Sequence, residues 1–122
     1  MLATLLVIAG ALTGTPSVAQ VTDDAELRSA REALLQKMLA DPMDTSLMLD
    51  FARASVRLRE FEPAISTLER YLDQRPGDIS AIYELAVAYF ALGAYEVAEI
   101  HFRTVADAPG VGPAMQTKVA AY

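Results

Sequence analysis

The chain has 122 residues, with ten Lys and Arg against sixteen Asp and Glu, a single His and no Cys, for a formal net charge of −6. An acidic balance argues against nucleic-acid binding, because the phosphate backbone rewards clustered Lys and Arg. The missing thiols exclude thiol catalysis, disulfide frameworks and cysteine-based zinc sites.

Residues 1–22 carry no charged side chain, so every Lys, Arg, Asp and Glu lies in residues 23–122. Within the uncharged stretch, residues 2–12 form a mainly apolar run of the length of a signal-peptide h-region. Gly14 and Pro16 end it, and Ser17-Val18-Ala19 supplies small residues before a cleavage site. The expectation is a signal peptide over residues 1–19, a mature start at Gln20, and a periplasmic or outer-membrane-associated protein. The n-region lacks Lys and Arg. A retained membrane anchor is the alternative, since the uncharged stretch is nominally long enough to span a bilayer. Thr4, Thr13, Thr15, Pro16, Ser17 and Gln20 dilute it, however, and no Cys is present to carry a lipid. An exported chain without disulfides is held together by packing alone.

From Asp24 onward the pattern is helical. Ala25, Leu27, Ala30, Leu34, Leu35, Met38 and Leu39 recur at three- and four-residue spacings, with Arg28, Arg31, Glu32 and Lys37 opposite. Asp41-Pro42 ends this leading helix, because the residue before Pro disfavours the α region. Further breaks fall at Arg59-Glu60, Arg75-Pro76-Gly77-Asp78, Gly93-Ala94 and the stretch from Pro109 to Pro113. The segments between them are rich in Ala, Leu and Glu. The β-branched residues show no two-residue alternation, so no strand is expected.

Repetition decides the architecture. Residues 45–78 overlay residues 79–112 without a gap, at a period of 34. Identities fall at Ser46/Ser80, Ala52/Ala86, Ala54/Ala88, Leu58/Leu92, Glu62/Glu96, Ala64/Ala98 and Asp73/Asp107. Matches in character fall at Met48/Ile82, Phe51/Leu85, Phe61/Tyr95, Leu68/Phe102 and Tyr71/Val105. Asp44 and Asp78 stand where caps of the following helices are expected.

This period and these residues resemble the tetratricopeptide repeat (TPR) family. In that pattern a large and then a small residue on helix A admit helix B, here Phe51-Ala52 and Leu85-Ala86. Ala64 and Ala98 seat helix B, Leu68 and Phe102 follow a turn later, and Pro76 takes the closing position. Arg59 stands in place of the usual turn Gly, Ser55 in place of the usual aromatic, and Pro109 arrives one position early. Ala30, Leu34 and Pro42 fit the second helix of a preceding repeat, and Met115, Val119 and Ala120 the opening of a following one. The resemblance implies an all-α, right-handed helix–turn–helix superhelix of about five helices plus a C-terminal helix stub. Its units are a leading half-repeat (residues 20–44), two repeats (45–78 and 79–112) and the start of a truncated one (113–122). A helix pair of this kind exposes an apolar face that the next pair covers, so the chain is expected to be part of a longer protein.

No P-loop, G-x-S-x-G, H-E-x-x-H or EF-hand loop is present, so no enzyme activity, cofactor or metal site is expected. His101 lies midway along an expected helix over residues 95–106, with Val97 and Thr104 a turn away. A structural or solvent-facing role is the expectation. Asp23, Asp24, Glu60 and Glu62 read as acidic residues near helix N-termini. Met38, Met43, Met48 and Met115 read as gap-filling core or turn residues.

The resemblance places a partner-binding groove on the helix A faces: Ser46, Leu49, Asp50, Arg53 and Arg57, then Tyr83, Glu84, Val87 and Phe90. Two cationic arms and two aromatic rings would suit an extended peptide with an acidic and an apolar residue. The other reading of the set is that the arginines pair with Asp50, Glu60 or solvent, and that the next repeat covers Phe90. Leu49, Arg53, Ser80 and Glu84 stand where the family's carboxylate clamp needs Lys and Asn, which argues against that specialised role. The expected function is a non-enzymatic scaffold of the bacterial periplasm or cell envelope that binds a protein or peptide partner. The stretch from Tyr83 to Tyr95 also resembles the repeat region of the surface lipoprotein assembly modifier family. That likeness implies an alternative: a soluble N-terminal TPR domain of a larger outer-membrane β-barrel protein. Membrane association is expected only through the signal or anchor segment or a further C-terminal region.

Overall fold

The computed structural model describes Val18–Tyr122, with side chains from Asp23 onward. Residues 1–17, which hold most of the expected signal segment, lie outside the described residues. Six helices follow in order: α1 (Val18–Ala40), α2 (Thr45–Arg57), α3 (Phe61–Gln74), α4 (Ile79–Ala91), α5 (Tyr95–Asp107) and α6 (Pro113–Ala120). No strand occurs among the described residues. Each helix packs on its neighbours in sequence, and α2 also reaches α4 past the intervening α3. This is an all-α helix–turn–helix solenoid, in which each unit finds its cover in the next.

The 34-residue register is visible in the burial. On α2 and α4 the buried pairs are Met48/Ile82, Phe51/Leu85, Ala52/Ala86 and Ala54/Ala88. On α3 and α5 they are Ala64/Ala98, Leu68/Phe102 and Tyr71/Val105. A methyl group at Ala52, Ala64, Ala86 and Ala98 lets the helices of each pair approach closely. Large side chains on either side then fill the space between layers. Ser55 is fully buried, and its hydroxyl donates to the Phe51 carbonyl one turn back at 2.9 Å. This bond satisfies the one polar atom that the position brings into the core.

The caps repeat too. Asp44 accepts from the backbone N–H groups of Ser46 and Leu47 and from the Ser46 hydroxyl. These bonds, the Ser46 hydroxyl first, hold its carboxyl below the usual range. Asp78 accepts from the Ala81 N–H at 3.2 Å and from the Tyr71 hydroxyl. Burial works against its charged form, but these hydrogen bonds outweigh it and keep the Asp78 pKa lowered. Tyr71 thereby ties the end of α3 to the start of α4.

Both A–B turns close in the same way. Arg59 N–H donates to Val56 and Glu60 N–H to Ser55, while Gly93 N–H donates to Phe90 and Ala94 N–H to Tyr89. These are Schellman closures, whose C′ residue must be left-handed. Gly93 meets that demand at φ 79°, and Arg59 adopts it at φ 62° despite its Cβ. Left-handed backbone costs a non-glycine residue about 1 kcal/mol or more, against the roughly 0.4–1 kcal/mol lost to unfolded-chain freedom on introducing Gly. Arg59→Gly is therefore expected to raise the melting temperature by about 2–4 °C, for a net gain near 0.5 kcal/mol. Gly93→Ala should lower it through the backbone alone, since an added Cβ there meets nothing within 4 Å. A thermal melt by circular dichroism checks both, and a lower melting temperature for Arg59→Gly would contradict the account.

Two local expectations change at α1. The helix begins at Val18, before Asp24, because no Pro or Gly interrupts residues 17–40. Asp23 and Asp24 consequently fall in its second turn, and no acidic residue lies in the first. Arg31 is also not on a solvated face. It reaches across to Glu60 and lies over the Phe51 ring at 5.2 Å. Ala25, Ala30 and Leu39 from the expected apolar stripe are exposed, because among the described helices only α2 packs along α1.

Candidate interaction groove

At 3.6 residues per turn, Ser46, Asp50, Arg53 and Arg57 share one face of α2, and Ser80, Glu84 and Val87 share the equivalent face of α4. Arg53 joins the two helices. One of its terminal nitrogens donates to the Ser80 hydroxyl at 3.1 Å, and its Nε lies 3.9 Å from a Glu84 carboxylate oxygen. Burial raises the Glu84 pKa, and the charges of Arg53 and then Lys118 offset part of that effect. Lys118 on α6 lies over the Tyr83 ring at 5.9 Å. Positions 50, 84 and 118, one repeat apart, thus hold Asp, Glu and Lys along one side of the solenoid.

The remaining residues of the expected groove divide among three settings. Leu49 packs against the main core. Arg57 is exposed beside Asp23, Glu26, Leu27 and Ala30 of α1, about one turn from Arg53. Tyr83 and Val87 pack with Ala86, Ala98, Phe102 and Val119, so they face α5 and α6. Burial first, then the Tyr122 phenol and Glu84, pushes the Tyr83 hydroxyl up to about 12. Phe90 makes edge contacts with Tyr95 and Tyr122, both at 5.0 Å, and remains about one-third exposed. Glu60 pairs with Arg31, and Asp50 is exposed. The structure therefore brings Asp50, Arg53 and Glu84 onto one polar face. It directs the aromatic rings toward α6 and the C-terminal Tyr122.

Ser80, a repeat match and clamp position, and Lys118 join this face from outside the expected groove. Both were within reach of the period: Ser80 lies one repeat after Ser46, and Lys118 one after Glu84. Among the described residues, no cluster of three His, Asp or Glu side chains is placed to hold a metal ion. No described helix is long and apolar enough to cross a membrane. No protein-family model, curated protein or solved structure matches the chain.

Proposed function

We propose that the chain is a non-enzymatic interaction module of the tetratricopeptide type, exported to the bacterial envelope, which binds a protein or peptide segment along the A helices. The observation that carries this reading is Arg53. It is half-exposed, held in place by Ser80 and Glu84, and lies on a face shared by successive repeats. A guanidinium fixed in this way has donors left over for a partner carboxylate, at little further cost in side-chain freedom. Arg57, on the same side of α2, adds a second cation along the path of an extended peptide. The export half of the reading rests on the apolar segment before Pro16 and the small residues at Ser17 and Ala19.

The test is capture of a partner from envelope extract, followed by titration of that partner with the parent chain and with Arg53→Ala at two salt concentrations. Arg53→Ala is expected to weaken binding about threefold to tenfold at low ionic strength and by less at high salt, because exposed charge pairs are screened. Circular dichroism should show both proteins equally folded. Unchanged affinity at low salt would place the partner elsewhere on the molecule. N-terminal sequencing of the mature protein should begin at Gln20, and an intact Met1 end on cytoplasmic protein would overturn export.

A further inference from the structure

The reverse side of α4 carries a second concavity. At 3.6 residues per turn, Ile82, Leu85 and Tyr89 lie opposite Ser80, Glu84 and Val87. There α3 and α5 flank α4 and leave a cleft of about 500 Å³. Leu72, Ile82 and Leu85 make an apolar floor, while Glu69 and Asp73 line the α3 wall and His101 and Thr104 the α5 wall. Glu69 and Asp73 are one turn apart, hence neighbours on the helix surface. Neither is in an ion pair among the described residues.

Tyr89 organises the cleft. Its hydroxyl donates to one Glu69 oxygen, and its ring stacks on His101 with centroids 5.8 Å apart and planes 12° from parallel. One carboxylate oxygen of Glu69 and both of Asp73 are left to accept from a ligand. Burial holds the His101 pKa below its usual value, with Glu69 opposing in part, so the α5 wall favours a neutral imidazole. Two carboxylates above an apolar floor, next to a stacked ring pair, complement one kind of side chain: a planar cation on a long aliphatic stem.

We propose that this cleft is a docking site for an arginine side chain presented by an extended segment of a partner polypeptide. The methylenes lie over Leu72, Ile82 and Leu85, and the guanidinium donates to Glu69 and Asp73 beside the imidazole ring. A lysine reaches the same carboxylates but lacks the fork that addresses two at once and the plane that stacks on a ring. The site lies on the opposite side of α4 from the Arg53 face and does not rest on that face binding anything.

The test is a titration of the isotopically labelled chain, followed by NMR, with a blocked peptide Gly-Ser-Leu-Arg-Ser-Gly. The same peptide with Lys or Ala in place of Arg supplies the comparison. Saturable shifts are expected at the amides of Glu69, Asp73, Ile82, His101 and Thr104, severalfold weaker affinity for the Lys peptide, and none for the Ala peptide. Glu69→Gln combined with Asp73→Asn should weaken the Arg peptide about fivefold or more. Gln still offers an oxygen to Tyr89, and both side chains are exposed, so the fold should hold. Thr104→Arg, which supplies the cleft with a guanidinium of its own, should abolish the shifts, whereas Arg53→Ala should leave them unchanged. Absence of shifts with the Arg peptide, unchanged affinity of the double variant for it, or equal binding of the Ala peptide would overturn the proposal.

Discussion

Leu68→Ala is expected to destabilise the protein by about 3 kcal/mol and to lower the melting temperature by roughly 10–20 °C. Leu68 is fully buried on α3, in one cluster with Phe51, Ala52, Tyr71, Ala81 and Leu85, so three helices meet around it. Truncation loses the transfer energy of three carbons and leaves a cavity. The surrounding helices, held by caps at Asp44 and Asp78, cannot readily close it. A domain of about a hundred residues has some 5–15 kcal/mol in all, so the loss is a large share of the total. Phe102→Ala, the register equivalent on α5, should behave differently. Phe102 packs with Tyr83, Ala86, Ala98 and Tyr122 near one end of the described solenoid. In a stack where each unit touches only its neighbours, damage near an end is expected to open α5 and α6 while α1–α4 remain formed. Hydrogen exchange separates the two outcomes: Leu68→Ala should lower protection throughout, Phe102→Ala mainly from Tyr95 onward. A loss below about 1 kcal/mol for Leu68→Ala would mean that the α2–α3–α4 junction is not the core.

Ala64→Leu and Ala98→Leu are expected to cost more than Arg53→Ala or Arg57→Ala. Both alanines have no exposed surface and sit where the second helix of each pair meets the first. Three added carbons have no room there. The helices must separate or the leucine must leave its rotamer wells, at about 1–3 kcal/mol. The arginines are exposed or half-exposed, and a screened surface contact contributes about 0–1 kcal/mol. Denaturant titration of the four variants should therefore put both leucine substitutions below both alanine ones. Equal midpoints would mean that Ala64 and Ala98 do not seat the helices.

Several features of the groove and fold are legible in the sequence, and each has a local cause. The breaks at Arg59-Glu60, Gly93-Ala94 and Arg75-Pro76-Gly77-Asp78 are turn chemistry, which acts over four or five residues. The caps at Asp44 and Asp78 are bonds to the next three residues. The groove residues on α2 and α4 were assigned to a side of each helix, and Asp50, Arg53 and Glu84 do lie together. Helical phase identifies a side, however, and not what stands against it. Arg31 lies opposite the apolar stripe of its own helix, yet Glu60 and Phe51, some twenty or more residues away, draw it inward.

The sequence by itself determined the helices, their order, the 34-residue register and the small residues at the helix contacts. These follow from periodicity and from steric limits within one or two turns. Only the tertiary structure decided which neighbour each face meets. It turned Tyr83, Val87 and Phe90 toward α5, α6 and Tyr122, gave Arg53 its partners Ser80 and Glu84, and set Tyr89 between Glu69 and His101. Such contacts join residues from about a dozen to about forty positions apart, and their geometry depends on how closely successive helix pairs stack. That spacing comes from the packing of Ala52, Ala64, Ala86 and Ala98 against the large side chains around them, a property of the assembled layers and not of any one segment.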